Sequence, residues 1–181
     1  MGVNEEYPIT NVKSWKDLGC HIDIADIRDL LESAYRKSLK PDYFDLEPDG
    51  IGLMNNSESY IGIYVIMHLD AFSYLDKLVV HPRYQKNGMG EALLRDVEAL
   101  SKAAGKRGVV LRADAKNEDA QRFYIREGFR RMTPDPVKSL FTDGGYVFMK
   151  FFDPHTNWNT NEDEIKAAID YAIQHPESFY R

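Results

Sequence analysis

Gln85-Lys86-Asn87-Gly88-Met89-Gly90 lies between an apolar run, Tyr74 to Val80, that ends at His81-Pro82, and a stretch where Met89, Leu93, Val97 and Leu100 recur at helical spacing. Strand, glycine turn and helix in that order open an α/β unit. Glycines let a backbone approach a ligand closely, and the free N–H groups of a helix start attract phosphate oxygens through hydrogen bonds and the helix dipole. Two glycines are explained equally well by a structural turn. The third glycine of the dinucleotide fingerprint and the Lys-Ser/Thr of a P-loop NTPase are both missing, so an anion held here is a phosphate group of another kind.

Upstream of this turn, Ile27, Leu30, Leu31, Ala34 and Tyr35 follow the stripe of an amphipathic helix that begins at Asp23 and is ended by Pro41. Apolar runs at Ile51-Met54 and Tyr60-Met67, separated by Asn55-Asn56-Ser57-Glu58, read as a hairpin. Downstream, Gly105 stands where the second helix needs a C-terminal cap, and Gly108-Ala113 is another strand. Asn117 caps a third helix that buries Ala120, Phe123 and Tyr124 and stops at Gly128. Phe129-Met132 and Tyr146-Phe152 are the closing strands, joined by a loop holding Pro134, Pro136 and Gly144-Gly145. Asn161 and Glu164 form a capping-box pattern ahead of Ile165, Ala168, Ile169, Ala172 and Ile173, in a helix that Pro176 ends. Helix, hairpin, strand, helix, strand, helix, strand, strand describes a mixed α/β domain. The expected division is a lead-in at 1–22, one domain at 23–152 and a C-terminal helical extension at 153–181.

The 181 residues are 43% hydrophobic and 12% aromatic, enough for a substantial core. Net charge is -6, which speaks against broad binding to nucleic acid or an anionic membrane. No apolar run approaches the ~18 residues of a spanning helix, and the first fifteen lack a signal-peptide stretch, so the expectation is a soluble, cytoplasmic protein. Cys20 is the lone cysteine, which excludes an intrachain disulfide and a multi-thiolate metal site; no basic motif activates it. His21, His68, His81, His155 and His175 form no metal-binding pair, so no metal is expected.

About thirty residues after the glycine turn comes Asn117-Glu118-Asp119-Ala120-Gln121-Arg122-Phe123-Tyr124, followed by Gly128-Phe129. Together the two signatures resemble the GNAT N-acetyltransferase superfamily, whose Q-x-x-G-x-G loop and N-x-x-A-x-x-F-Y-x-x-x-G-F helix match at the expected separation. The resemblance implies acetyl-CoA as donor substrate. Gln85, Lys86, Asn87, Gly88, Met89 and Gly90 would bind its pyrophosphate, and Leu78, Val79 and Val80 would hold the pantetheine and polarise the thioester. Asn117, Phe123 and Tyr124 would complete that site. It further implies that a neutral amine attacks the thioester directly and that Tyr124, with an ordinary phenol pKa near ~10, protonates the leaving thiolate.

The string from Leu31 to Tyr43 is similar to the first helix of the acetyltransferase domain of vertebrate-like N-acetylglutamate synthase, and Tyr74-Leu75-Asp76-Lys77 to that domain's Y-L-D-K strand. The tail, with Pro176-Glu177-Ser178-Phe179, is similar as well, so the resemblance runs from about Asp23 to the end. It implies glutamate as acceptor, a place in arginine biosynthesis, carboxylate contacts from Lys37 and Arg112, and Tyr74, Leu75 and Asn117 beside the reacting groups. Arg suits a carboxylate through its planar fork, and Lys adds a mobile point charge. Two departures stand against glutamate. The family's W-R-S-R reads Leu111-Arg112-Ala113-Asp114, placing an acid where a second carboxylate would be repelled, and its N-P-I-N reads Asn117-Glu118-Asp119-Ala120. Another amine, a protein N-terminus or lysine, another donor such as succinyl-CoA, and a noncatalytic acyl-CoA-binding regulator therefore stay open. With about twenty residues ahead of the first helix, an arginine-binding site is not expected, and a homodimer is compatible with the tail's apolar stripe. Residues 81–131 hold 12 Lys and Arg against 7 Asp and Glu, a compact basic segment suited to a CoA-sized anion.

Overall fold

Among the described residues seven strands form one sheet: β1 (Ile9–Val12), β2 (Gly50–Asn55), β3 (Tyr60–His68), β4 (Phe72–Val80), β5 (Gly108–Asp114), β6 (Arg130–Arg131) and β7 (Gly145–Phe151), in the order β1-β2-β3-β4-β5-β7-β6. The computed structural model describes residues 7–18, 22–138 and 144–175; Cys20, His21 and the string Pro176-Glu177-Ser178-Phe179 lie outside them. Neighbouring strands pair antiparallel except β4 with β5, which run parallel and are joined by a helical crossover. This sheet and the helices on it form the mixed α/β domain expected from the order of apolar runs. The expected hairpin is β2–β3, and Asn56 shapes its turn by accepting from the N–H groups of Glu58 and Ser59 at 2.9 and 2.7 Å.

Among the described residues four α-helices cover the sheet: α1 (Ile24–Tyr35), α2 (Met89–Ala103), α3 (Glu118–Arg126) and α4 (Glu162–Gln174). α2 and α3 lie on one face, where Leu93, Leu94, Val97 and Tyr124 join Tyr64, Ile66, Leu75, Leu111 and Phe148 in one core. α1 and α4 cover the other face. Ile27, Leu30 and Leu31 pack with Ile63, Val65 and Val79, while Ile165, Ala168 and Ala172 pack with Tyr74, Val110 and Met149. The period of two along each strand is what sorts these side chains between faces. Gly62 shows how closely α2 approaches: a Cβ there would stand 2.8 Å from Leu93 Cδ1.

Several boundaries differ from the sequence reading for local reasons. Asp23 caps α1 as expected, accepting from Ala25 N–H at 2.8 Å, but the helix ends at Tyr35 because Arg36 turns left-handed at φ 52°. Pro41 instead opens a short 3₁₀ helix. Asn161 precedes α4 but does not form the capping box: its amide donates to Asn157 O, and Glu164 pairs with Arg107. The strand expected over Phe129-Met132 is only Arg130–Arg131, since Phe129 turns into the core. Ala120 and Phe123 are half-buried and only Tyr124 of that trio is fully so. The lead-in is structured from Tyr7 onward: β1 forms the sheet edge, and Trp15 packs against Tyr43 and Phe44. Among the described residues no helix is long and apolar enough to cross a membrane, and no group of three His, Cys, Asp or Glu could hold a metal.

Candidate active site

β4 and β5 pair only from Phe72↔Gly108 to Leu75↔Leu111, although β4 continues to Val80 and β5 to Asp114. Beyond Leu75 the two strands diverge, β4 following β3 and β5 following β7. The divergence starts at a bulge. Ile66 faces Leu75 and Val65 faces Lys77, so Asp76 is an extra residue, and an extra residue bends a strand and increases its twist.

The backbone that lines this wedge follows from one hydrogen bond. His81 N–H donates to Ile61 O at 2.8 Å, so by the two-residue period the main chains of Val79 and Lys77 also face β3, and those of Leu78 and Val80 face the wedge. The Val80 carbonyl is already taken by Gln85 Nε2 at 2.9 Å, which leaves the Leu78 amide and carbonyl and the Val80 N–H toward the opening. Of the three residues expected to meet a ligand through their backbone, Val79 turns away; its side chain is buried on the α1 side.

On the α2/α3 face the wedge opens onto the glycine turn. Lys86 (φ 65°) and Gly88 (φ 79°) both adopt the left-handed conformation, which a glycine tolerates and a lysine resists. Gly88 is the N-cap of α2, its carbonyl accepting from Ala92 N–H, so the N–H groups of Met89, Gly90 and Glu91 have no intrahelical acceptor. α3 meets this turn: a Cβ on Gly90 would touch the Phe123 ring at 3.5 Å, and Arg126 pairs with Glu91 at 3.2 Å. Asn117 caps α3, its Oδ1 accepting from Ala120 N–H at 3.0 Å.

Tyr124 is 8% exposed, ringed by Phe123, Phe129 and Phe148. Burial among these rings pushes its phenol well above the usual value. The hydroxyl thus stays protonated throughout the ordinary pH range, and it is a weaker acid than the unperturbed figure assumed from sequence.

On the α1/α4 face lies a polar cluster assembled from distant parts of the chain. The bulge places two consecutive side chains, Asp76 and Lys77, on this face, 3.0 Å apart and almost wholly buried. The Tyr43 hydroxyl, from the 3₁₀ helix after α1, donates to Asp76 Oδ2 at 3.0 Å. His175, the residue where α4 ends, brings Nε2 within 3.2 Å of Asp76 Oδ1. Burial alone would raise the Asp76 pKa, but the Lys77 ammonium and His175 outweigh it and hold the carboxyl well below the usual range. Burial, reinforced by the Asp76 charge, raises the Tyr43 phenol well above its normal value.

The sequence-selected residues are distributed unevenly over this geometry. Tyr74 reaches the cluster, its ring 4.8 Å from that of His175 and 5.2 Å from that of Tyr171. Arg112 points to the same face and donates to the carbonyls of Ala172 and Ile173 at 3.4 Å, at the negative end of α4. Leu75 is buried on the opposite face. Lys37 stands exposed just past α1, and Asp114 is exposed, its Oδ1 accepting from Lys116 N–H at 2.8 Å in a local turn. Motif reading assigned no role to Asp76, Lys77, Tyr43 or His175. The detectable signal was Asp76-Lys77, two charges inside an otherwise apolar strand.

Residues 51–131 match the model of the acetyltransferase (GNAT) domain family. Acetylglutamate kinases from two strains of Xylella fastidiosa are each 31% identical over 85 residues, 47% of this chain and 19% of their own length. Three solved structures share the architecture. An Escherichia coli N-acetyltransferase named for an alanine of a ribosomal protein superposes with a TM-score of 0.62 at 16% identity, covering 83% of this chain and 98% of its own. The PaiA N-acetyltransferase of Thermoplasma acidophilum, in complex with coenzyme A, gives 0.57 at 18% identity, over 80% and 99%. A GNAT family acetyltransferase of Elizabethkingia anophelis with acetyl-CoA bound gives 0.54 at 16%, over 81% and 99%. Residues 51–131 of this chain are therefore similar to an acetyltransferase (GNAT) domain, and the chain shares the fold of these solved acetyltransferases.

Proposed function

We propose that the protein moves an acetyl group from acetyl-CoA to the amino group of a small amino acid, with L-glutamate the first candidate. The observation that carries this reading is the wedge between β4 and β5, open to a helix N-terminus on one face and to a buried Asp–Lys–Tyr–His cluster on the other. Acetyl-CoA would lay its pyrophosphate on Gln85 to Gly90 and its pantetheine along the Leu78 and Val80 backbone, with Asn117 and Phe123 alongside. The acceptor would approach from the α1/α4 face past Tyr74. The amine nitrogen bonds to the thioester carbon, the carbon–sulfur bond breaks, the thiolate takes a proton from Tyr124, and the proton that the nitrogen loses passes to solvent, from which the Tyr124 phenolate is reprotonated. Backbone N–H groups fixed at the wedge would stabilise the oxyanion without reorganising. The raised Tyr124 pKa keeps the phenol in its donating form.

Two likenesses support glutamate: the Tyr74-Leu75-Asp76-Lys77 string, and the sequence match to proteins named for acetylglutamate. Lys37 and Arg112 would then meet the acceptor's carboxylates. A second reading, transfer to another amine, is favoured by Arg112, whose guanidinium is directed to the end of α4, and by Lys37, which lies exposed. CoA release, followed with a thiol reagent across a panel of amino acids, amines and peptides with acetyl- and succinyl-CoA, decides. Turnover highest with glutamate supports the first reading. Turnover confined to non-carboxylate amines supports the second, and CoA binding without turnover would make the chain a regulator.

A further inference from the structure

Asp76 divides its two carboxylate oxygens between two parts of the molecule. Oδ2 takes the Lys77 ammonium and the Tyr43 hydroxyl, both at 3.0 Å, and so binds β4 to the connection after α1. Oδ1 faces His175 Nε2 at 3.2 Å, without the alignment of a hydrogen bond. His175 is 7% exposed; its N–H still closes α4 on Tyr171 O at 2.9 Å, while its ring stacks on Tyr171 and leans on Tyr74. The acetyl transfer derived above makes no use of it. Filling space is a poor account of an imidazole there, because a buried ring nitrogen costs desolvation that only its contact with the carboxylate offsets.

We propose that His175 is a positioning residue for the acceptor: through Asp76 it fixes the bulge, and with it Lys77 and Tyr74, so that the end of α4 helps set which amine is accepted. The inference rests on the acetyl-transfer reading. It concerns the acceptor rather than the donor because Tyr74, Asp76, Lys77 and Tyr171 share the α1/α4 face, whereas the glycine turn and Tyr124 lie on the other. The wedge backbone at Leu78 and Val80 is held separately, by β3 and by Gln85.

His175→Phe keeps a flat ring for the stack and removes the nitrogen; His175→Gln returns a nitrogen at about the reach of Nε2. With the best acceptor found for the wild type, His175→Phe is expected to raise the acceptor KM about tenfold and leave the acetyl-CoA KM within about twofold, with most of the loss recovered in His175→Gln. In a double-mutant cycle with Asp76→Asn, the second change should add little to the acceptor KM of the first. An acceptor KM that stays put in folded His175→Phe, a parallel rise of both KM values, or full additivity in the cycle would each overturn the proposal. If His175→Phe does not fold, His175→Gln decides, since an acceptor KM raised tenfold in that folded variant also overturns it. A wild type that releases CoA with no amine at all sinks the acetyl-transfer reading first, and this inference with it.

Discussion

The two faces of the sheet are built by different means. On the α2/α3 face, the candidate donor site comes from contiguous stretches, residues 85–90 and 117–124, and its parts are local: a left-handed glycine, a helix start, an Asn cap. On the α1/α4 face, Tyr43, the neighbours Asp76 and Lys77, and His175 come from three segments separated by up to 132 positions and meet in a buried ionic cluster. A short motif can encode the first kind of site, because backbone geometry supplies the ligands. The second exists only once the chain has folded, and its character depends on long-range packing. Under the proposed acetyl transfer, the donor site would be the part a short motif can carry from one domain to another, and the acceptor site the part that depends on the particular chain.

That contrast can be attacked from either side. The largest effect is expected at Tyr124: Tyr124→Phe should lower kcat by about 10²–10⁴-fold while acetyl-CoA binding and the urea midpoint change little, as removal of a general acid does. Next comes Asp76→Asn, which strands Lys77 without its adjacent counter-charge and should cost about 3–5 kcal/mol in urea unfolding, the range for breaking a buried pair. Lys86→Ala, on the other face, should be nearly neutral by the same measurement, since it trims an exposed side chain and leaves the left-handed backbone, strained by any Cβ, as it was.

The pH profile sharpens this difference. Because the Asp76 carboxyl is held below its ordinary range in the folded state, its contribution to stability is complete above about pH 4 and is lost as pH falls toward the folded-state value. Unfolding free energy measured from pH 6 down to 2 should therefore fall more steeply in the wild type than in Asp76→Asn. Equal slopes would mean that the carboxylate is not stabilised by its neighbours. A smaller effect is expected at Gly88, where Gly88→Ala forces a side chain into φ 79° and should cost about 1–2 kcal/mol together with weaker acetyl-CoA binding, read by calorimetry. The smallest is Lys37→Ala, a single exposed charge, with a glutamate KM up by about threefold and no change in stability.

Sequence reading located the glycine turn, the helix after it and the Asn117 cap almost residue by residue, because turns, caps and period-two strands obey local rules. Val79 shows its limit: the run Leu78 to Val80 was legible, but which main chains face the wedge depends on pairing with β3. Arg112 shows another, since an arginine on an apolar strand announces a partner without saying that the partner is the end of α4. The bulge at Asp76 has no signature in local propensity, so the side-by-side burial of Asp76 and Lys77 was not foreseen. Arg36 likewise ended α1 ahead of the proline that was expected to do so.

Amide hydrogens in the middle of a seven-stranded sheet ordinarily exchange with solvent only when the whole sheet opens. β4 is at once a central strand and, past Leu75, an edge. The amides of Leu78 and Val80 should accordingly take up deuterium quickly in the free protein and slowly when acetyl-CoA fills the wedge, while those of Val79 and Lys77, turned toward β3, stay protected throughout. Four consecutive residues thus carry a built-in occupancy gauge and its own internal standard.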